Sequence, residues 1–238
     1  MKRVKFFSAK NIAYFGVLTA LEVVLLFFGS AVPVGSGGAS LNFSLLPIVI
    51  GAILLGPFAG GILGLISGIV ISIMVVTGLQ GPVFLYLFQA QPFMIILICL
   101  LKTTAAGVVS GWLHRLIKRK NGTVAGFVSA LSAPIVNTAL FILGCLCISG
   151  AVEDSALEFG LGYGSAFSII ILVFVTYNFF IEFAINLVFA PALCTIVRVM
   201  EKQIGTKQKK ERADRQDKQS ENIADSQNKA ESGEPTEL

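Results

Sequence analysis

Residues 42–78 read "NFSLLPIVIGAILLGPFAGGILGLISGIVISIMVVTG", a stretch without a single charged side chain. A helix needs about 20 apolar residues to cross a hydrocarbon core of about 30 Å. This stretch therefore holds either one long helix or two short ones broken at Gly56-Pro57. Proline has no N–H for the helical ladder and clashes with the turn before it, which makes Gly-Pro a natural break. Which of the two readings holds decides the number of spans, and the charges on either side decide between them.

Working outward, clear apolar spans lie at 11–29, about 83–113, 123–149 and 166–197. Lys2, Arg3, Lys5 and Lys10 precede the first; Arg115, Lys118, Arg119 and Lys120 fill the middle loop; Arg198, Lys202 and later cations follow the last. Cytoplasmic loops collect Lys and Arg, so all three segments are expected on the cytoplasmic side. An even number of spans must then separate the first two, which requires helices at about 42–56 and 58–77. The expected fold is an all-α integral membrane protein, a six-transmembrane-helix bundle over residues 1–200 with both termini cytoplasmic. Of 18 Lys and Arg, only Lys102 falls outside the cytoplasmic segments, and the outer loops 30–41, 78–91 and 150–165 hold none. Composition agrees: 55% of residues are hydrophobic and 13% charged, against roughly 25% charged in soluble domains. The apolar run after Lys10 is longer than a signal-peptide core, so 11–29 is expected to stay as an anchor. Residues 201–238 carry eight Lys or Arg, nine Asp or Glu and no aromatic residue; such a composition is expected to form a disordered charged cytoplasmic tail.

Polar side chains inside a membrane are costly and so point to function by default. Counted from the nearest cytoplasmic cation at 1.5 Å per residue, Glu22 lies about 18 Å deep, Lys102 about 20 Å, Glu182 about 24 Å and Asn137 about 26 Å. On the last helix Asn178, Glu182 and Asn186 recur every four residues and form one stripe, which must face protein or water. Pro134, three residues before Asn137, frees a backbone carbonyl near Ala130. These groups share one layer and outline a polar pocket in which Lys102 would meet an anionic or hydroxyl-rich ligand. The other reading keeps Lys102 in a buried pair with Glu22 or Glu182, the asparagines joining helices.

"GSAVPVGSGGAS", residues 29–40, is Gly-rich and lies over the outer end of the first helices, as a lid or as a plain connector. Phe43, Phe84, Tyr86, Phe88 and Phe93 gather near the same mouth, to stack on a ligand or to form an interfacial belt. On the first helix Ala9, Ala13, Gly16 and Ala20 share one face, and small residues in a row let another helix approach closely; the neighbour is either a partner protein or this bundle. Cys99, Cys145, Cys147 and Cys194 form no CxxC motif and read as small hydrophobes. The chain has no GxxxxGK[ST] phosphate loop, no HExxH, and a single histidine, His114, at the cytoplasmic edge. Neither ATP hydrolysis nor intramembrane hydrolysis is expected of it, and no cofactor or metal site is expected.

With the Ala9/Ala13 motif, "LPIVIGAILLGPFAGGILGLISG" at 46–68 and "APIVNTALFILG" at 133–144, the chain over roughly 8–198 resembles the substrate-binding S component of energy-coupling factor vitamin transporters. The resemblance implies a small vitamin bound in the outer half beneath the first outer loop, in a bacterial plasma membrane. It also implies association with a membrane-embedded coupling (T) subunit and two cytoplasmic ATPase subunits, which would use the ATP. Docking would run through Ala9, Ala13, Gly16 and Ala20. By the same resemblance Asn137 and Asn178 contact the ligand, joined by Asn42 of "NFSLLP" (42–47), which stands where riboflavin-type members have the acidic "DFSDIP". The pattern looks nearest to pantothenate-type members, a carboxylate suiting Lys102, with riboflavin and folate next. The alternative is a free-standing secondary transporter or channel for a small organic solute, for which a clear inverted repeat is lacking.

Overall fold

The computed structural model describes residues 9–31, 33–34, 39–40, 42–161, 164–176, 179–192, 194–195, 199, 216 and 220. The chain divides into two units, Met1–Cys194 and Thr195–Leu238. In the second, Ser220 Oγ donates to the carbonyl of Gln216 at 2.9 Å; the rest of the tail expected over 201–238 lies outside the described residues.

In chain order the first unit runs α1 (Ala9–Ser30), a two-residue ribbon of β1 (Pro33–Val34) and β2 (Ala39–Ser40), α2 (Leu45–Leu54), α3 (Pro57–Val76), α4 (Pro82–Ala90), α5 (Pro92–Ile117), α6 (Gly122–Cys147), α7 (Ser149–Glu158) and α8 (Ala166–Ile169). A π-helical turn, Ile170–Val175, follows α8, and residues 179–192 are helical again. The ribbon is antiparallel, pairing Pro33 with Ser40 and Val34 with Ala39. Most of the 29–40 loop, expected as a lid or a plain connector, is thus either this ribbon or outside the described residues.

Among the described residues, five helices are long and apolar enough to cross a membrane: Asn11–Ser30, Pro57–Val76, Pro92–Ile117, Gly122–Cys147 and Ala166–Ala192. The chain is therefore a multi-pass helical membrane protein. The break at Gly56-Pro57 is present, with Gly56 at φ +102° and Pro57 opening α3. A positive φ of this size disfavours any residue with a Cβ, so the turn requires glycine for its conformation.

Two elements differ from the expected boundaries. The first, α2, has ten residues where 42–56 was expected, about 15 Å of helix, half a hydrocarbon core. Seven of its residues are buried, and it packs against α1, α3, α5 and α6. A helix enclosed by protein need not match the lipid thickness, which is why a short one suffices. The second is the span expected over about 83–113, which is two helices. Gln91, at φ −141° and ψ 66°, leaves the helix before Pro92, because proline disfavours helical geometry in the residue preceding it. Its first part, α4, lies in what reads as the outer loop, and α7 likewise makes helix of the loop expected at 150–165.

The tightest packing joins α3 to α5. Cβ atoms at Gly60, Gly64 and Gly68 would come within 2.7 Å of the Gly107 carbonyl oxygen, 2.2 Å of the Thr103 carbonyl oxygen and 2.8 Å of the Cys99 carbonyl oxygen. Glycines four residues apart thus let the two backbones touch, the arrangement that replaces hydrophobic attraction inside lipid. On its other side α5 is tied to α6, where Ser110 Oγ donates to the Ser129 carbonyl at 2.9 Å. Pro134 sits inside α6 without ending it. At the far end, Glu153 of α7 accepts from the Ala166 amide at 2.8 Å and so anchors the start of the last span.

Candidate functional site

With Thr103 pressed on α3, the next residue back on α5, Lys102, is turned toward α6. Its ammonium stands 4.9 Å from the centre of the Phe141 ring. Ile95, Ile98, Cys99 and Lys102 follow helical spacing and line one side of a cavity of about 60 Å³. Asn137, Thr138 and Phe141 of α6 form the opposite wall. Leu26 of α1, Asn42, Ile71 and Val75 of α3, Gln80, Phe84 of α4, Phe174 and Val175 of the π-helical turn, and Phe179 complete it.

The apolar part of this wall is aromatic. Phe84, Phe141 and Phe174 stand with centroids 5.4–6.4 Å apart, within the range of favourable tilted pairs. The polar part consists of groups with hydrogen-bonding capacity to spare. Lys102 forms neither an ion pair nor a hydrogen bond among the described residues; its recorded partner is the Phe141 ring face. A cation over a partly exposed ring gains about 0.5–1 kcal/mol, and all three N–H donors remain for an anion. The carboxamide of Asn42 accepts from the Ser44 amide at 3.1 Å and the Ser44 hydroxyl at 2.6 Å. A backbone N–H can only donate, so that atom is the oxygen, and Nδ2 is a buried donor with no partner. Asn137, 4% exposed, has an unpartnered Oδ1. Unsatisfied buried polar atoms are few in folded proteins and each calls for an explanation; here Lys102 and two asparagines that each carry an unpartnered carboxamide atom line one cavity.

Of the residues singled out by sequence, Lys102, Asn42 and Asn137 line this cavity. Glu22 and Glu182 do not, although both are buried. Glu22 faces inward on α1 with Leu18 and Leu26, and its carboxyl borders Ser67 of α3. Glu182 accepts through its backbone carbonyl from Asn186 Nδ2 at 2.9 Å. Asn178 lies outside the described residues. Phe84 is a wall residue, whereas Phe43 stands near Phe28, Tyr86 meets Phe159 edge-on, and Phe93 is exposed. Phe141 and Phe174 were not anticipated. Both carry a helical signal, since Phe141 follows Asn137 by four residues and Phe174 precedes Asn178 by four. On α1, Ala13, Gly16 and Ala20 are exposed, and a Cβ at Gly16 would touch nothing within 4 Å, so the described residues do not cover the stripe; of Ala9 only the backbone is described.

Residues 10–194 match the model of a family described as "ECF transporter, substrate-specific component". The chain belongs to that family. A search of curated proteins finds no match. As a substrate-specific component of an ECF transporter it is a transporter subunit, and membership implies a small-molecule substrate and association with T and ATPase subunits.

Proposed function

We propose that this S component captures a small vitamin, pantothenate first and riboflavin or folate next, from outside a bacterial plasma membrane. The vitamin occupies the cavity between α5 and α6 and passes inward through a coupling subunit driven by two ATPase subunits. The observation that carries this reading is the ammonium of Lys102, deep in an apolar bundle and without an anionic partner among the described residues. A lone cation at such depth costs at least about 2.5 kcal/mol, and a carboxylate against it, in a region of low dielectric, offsets that cost. Asn42 Nδ2 and Asn137 Oδ1 then satisfy an acceptor and a donor elsewhere on the solute. Opening of the aromatic wall makes room for it, the cavity as it stands being small for a vitamin. Coupling uses the open face of Ala13, Gly16 and Ala20, with Ala9, where a T-subunit helix approaches closely.

Native mass spectrometry of the purified protein, with calorimetric titration of pantothenate, riboflavin and folate, tests the reading. Binding of one of the three is expected, together with uptake that stops when the ATPase subunits are absent. Ion-driven flux through the isolated chain in liposomes would instead identify a free-standing secondary transporter.

A further inference from the structure

Glu22 takes no part in the cavity wall, yet it is 0% exposed, and neither of its carboxyl oxygens has a hydrogen-bond partner among the described residues. Among the described residues it also forms no ion pair. A fully buried carboxyl with nothing to bond is costly, and the group that borders it is the hydroxyl of Ser67. Ser67, itself fully buried, donates to Ser44 Oγ at 2.7 Å. Ser44 in turn donates to Asn42 Oδ1 at 2.6 Å. The direction of these bonds is forced. Asn42 Oδ1 can only accept, so the single hydroxyl proton of Ser44 goes to it; Ser44 then accepts the proton of Ser67, and the lone pairs of Ser67 are left for a donor. The carboxyl of Glu22, which α1 brings beside Ser67, would be such a donor in its O–H form.

We propose that Glu22 is a positioning residue for the solute site. It donates to Ser67 and completes a buried chain, Glu22 to Ser67 to Ser44 to Asn42, that holds the Asn42 carboxamide with Nδ2 offered to the solute. The chain links α1, α3 and the residues that lead into α2, so the orientation of one cavity donor depends on a side chain outside the cavity. The proposal rests on the cavity being the solute site.

The test is calorimetric titration of the full-length protein in detergent, using whichever of pantothenate, riboflavin and folate binds the wild type most tightly. Glu22→Leu and Ser67→Ala are each expected to weaken binding about three- to tenfold, the scale of one lost hydrogen bond. Glu22→Gln, which keeps an N–H donor, restores wild-type affinity. In an Asn42→Ala background Glu22→Leu has no further effect, because the chain then has nothing to position. Ser67→Ala carries the same test should Glu22→Leu fail to fold. Wild-type affinity in both Glu22→Leu and Ser67→Ala, with Asn42→Ala and Lys102→Ala impaired, overturns the positioning role and leaves the solute site intact. An effect of Glu22→Leu that persists without Asn42 overturns it too. A wild type that binds none of the three vitamins, or Asn42→Ala and Lys102→Ala variants that bind normally, removes the solute site and the positioning chain together.

Discussion

Lys102 combines a high insertion cost with an aromatic contact too weak to repay it, so its removal separates a ligand role from a structural one. Lys102→Ala is expected to weaken vitamin binding by more than about tenfold, roughly 1.4 kcal/mol or more, while the detergent-solubilised protein stays folded. Unchanged affinity by calorimetry would assign Lys102 to structure. Phe141→Leu keeps the apolar volume and removes the ring face 4.9 Å from the ammonium. A cation–π contact of about 0.5–1 kcal/mol predicts a two- to fivefold loss of affinity from that change. Lys102 was legible in the sequence because a charge in an apolar run stands out. Phe141 was not, since a phenylalanine in a membrane helix is ordinary until a cation is seen above it.

At the scale of elements, the site depends on the contact between α3 and α5. Gly64→Ala puts a methyl group 2.2 Å from the Thr103 carbonyl oxygen, which is backbone and cannot rotate away. The helices must separate, and a loss of about 1–3 kcal/mol is expected, seen as a lower thermal midpoint in detergent. Because Thr103 adjoins Lys102, vitamin affinity falls with it. Gly16→Ala, with nothing within 4 Å of the new methyl group, is expected to leave the midpoint unchanged. The outward face of α1 predicts a different phenotype: Ala13→Trp retains vitamin binding and abolishes uptake by cells that contain the partner subunits, and loss of binding would show that the stripe packs within the bundle. The Gly-Pro break was legible because it is a rule of local backbone chemistry. The ten-residue length of α2 was not, because it follows from enclosure by four other helices.

For the whole molecule, every described residue that lines the cavity lies between Leu26 and Phe179. Deletion of residues 201–238 is therefore expected to leave vitamin affinity unchanged in calorimetric titration, and a weakened variant would implicate the tail in the site. Transport, in contrast, is expected only from the assembly, since the chain carries no phosphate loop of its own.

The sequence by itself determined that this chain is a helical membrane protein with a break at Gly56-Pro57 and several polar groups at membrane depth. Those features follow from hydropathy, backbone chemistry and solvation cost, which are properties of single segments. Which polar groups share a cavity was decided only by tertiary structure. Depth along a helix can be counted from the chain, but rotation about its axis is set by neighbours. The glycine contact between α3 and α5 turns Lys102 toward α6, and the inward face of α1 sends Glu22 toward Ser67 instead of the cavity.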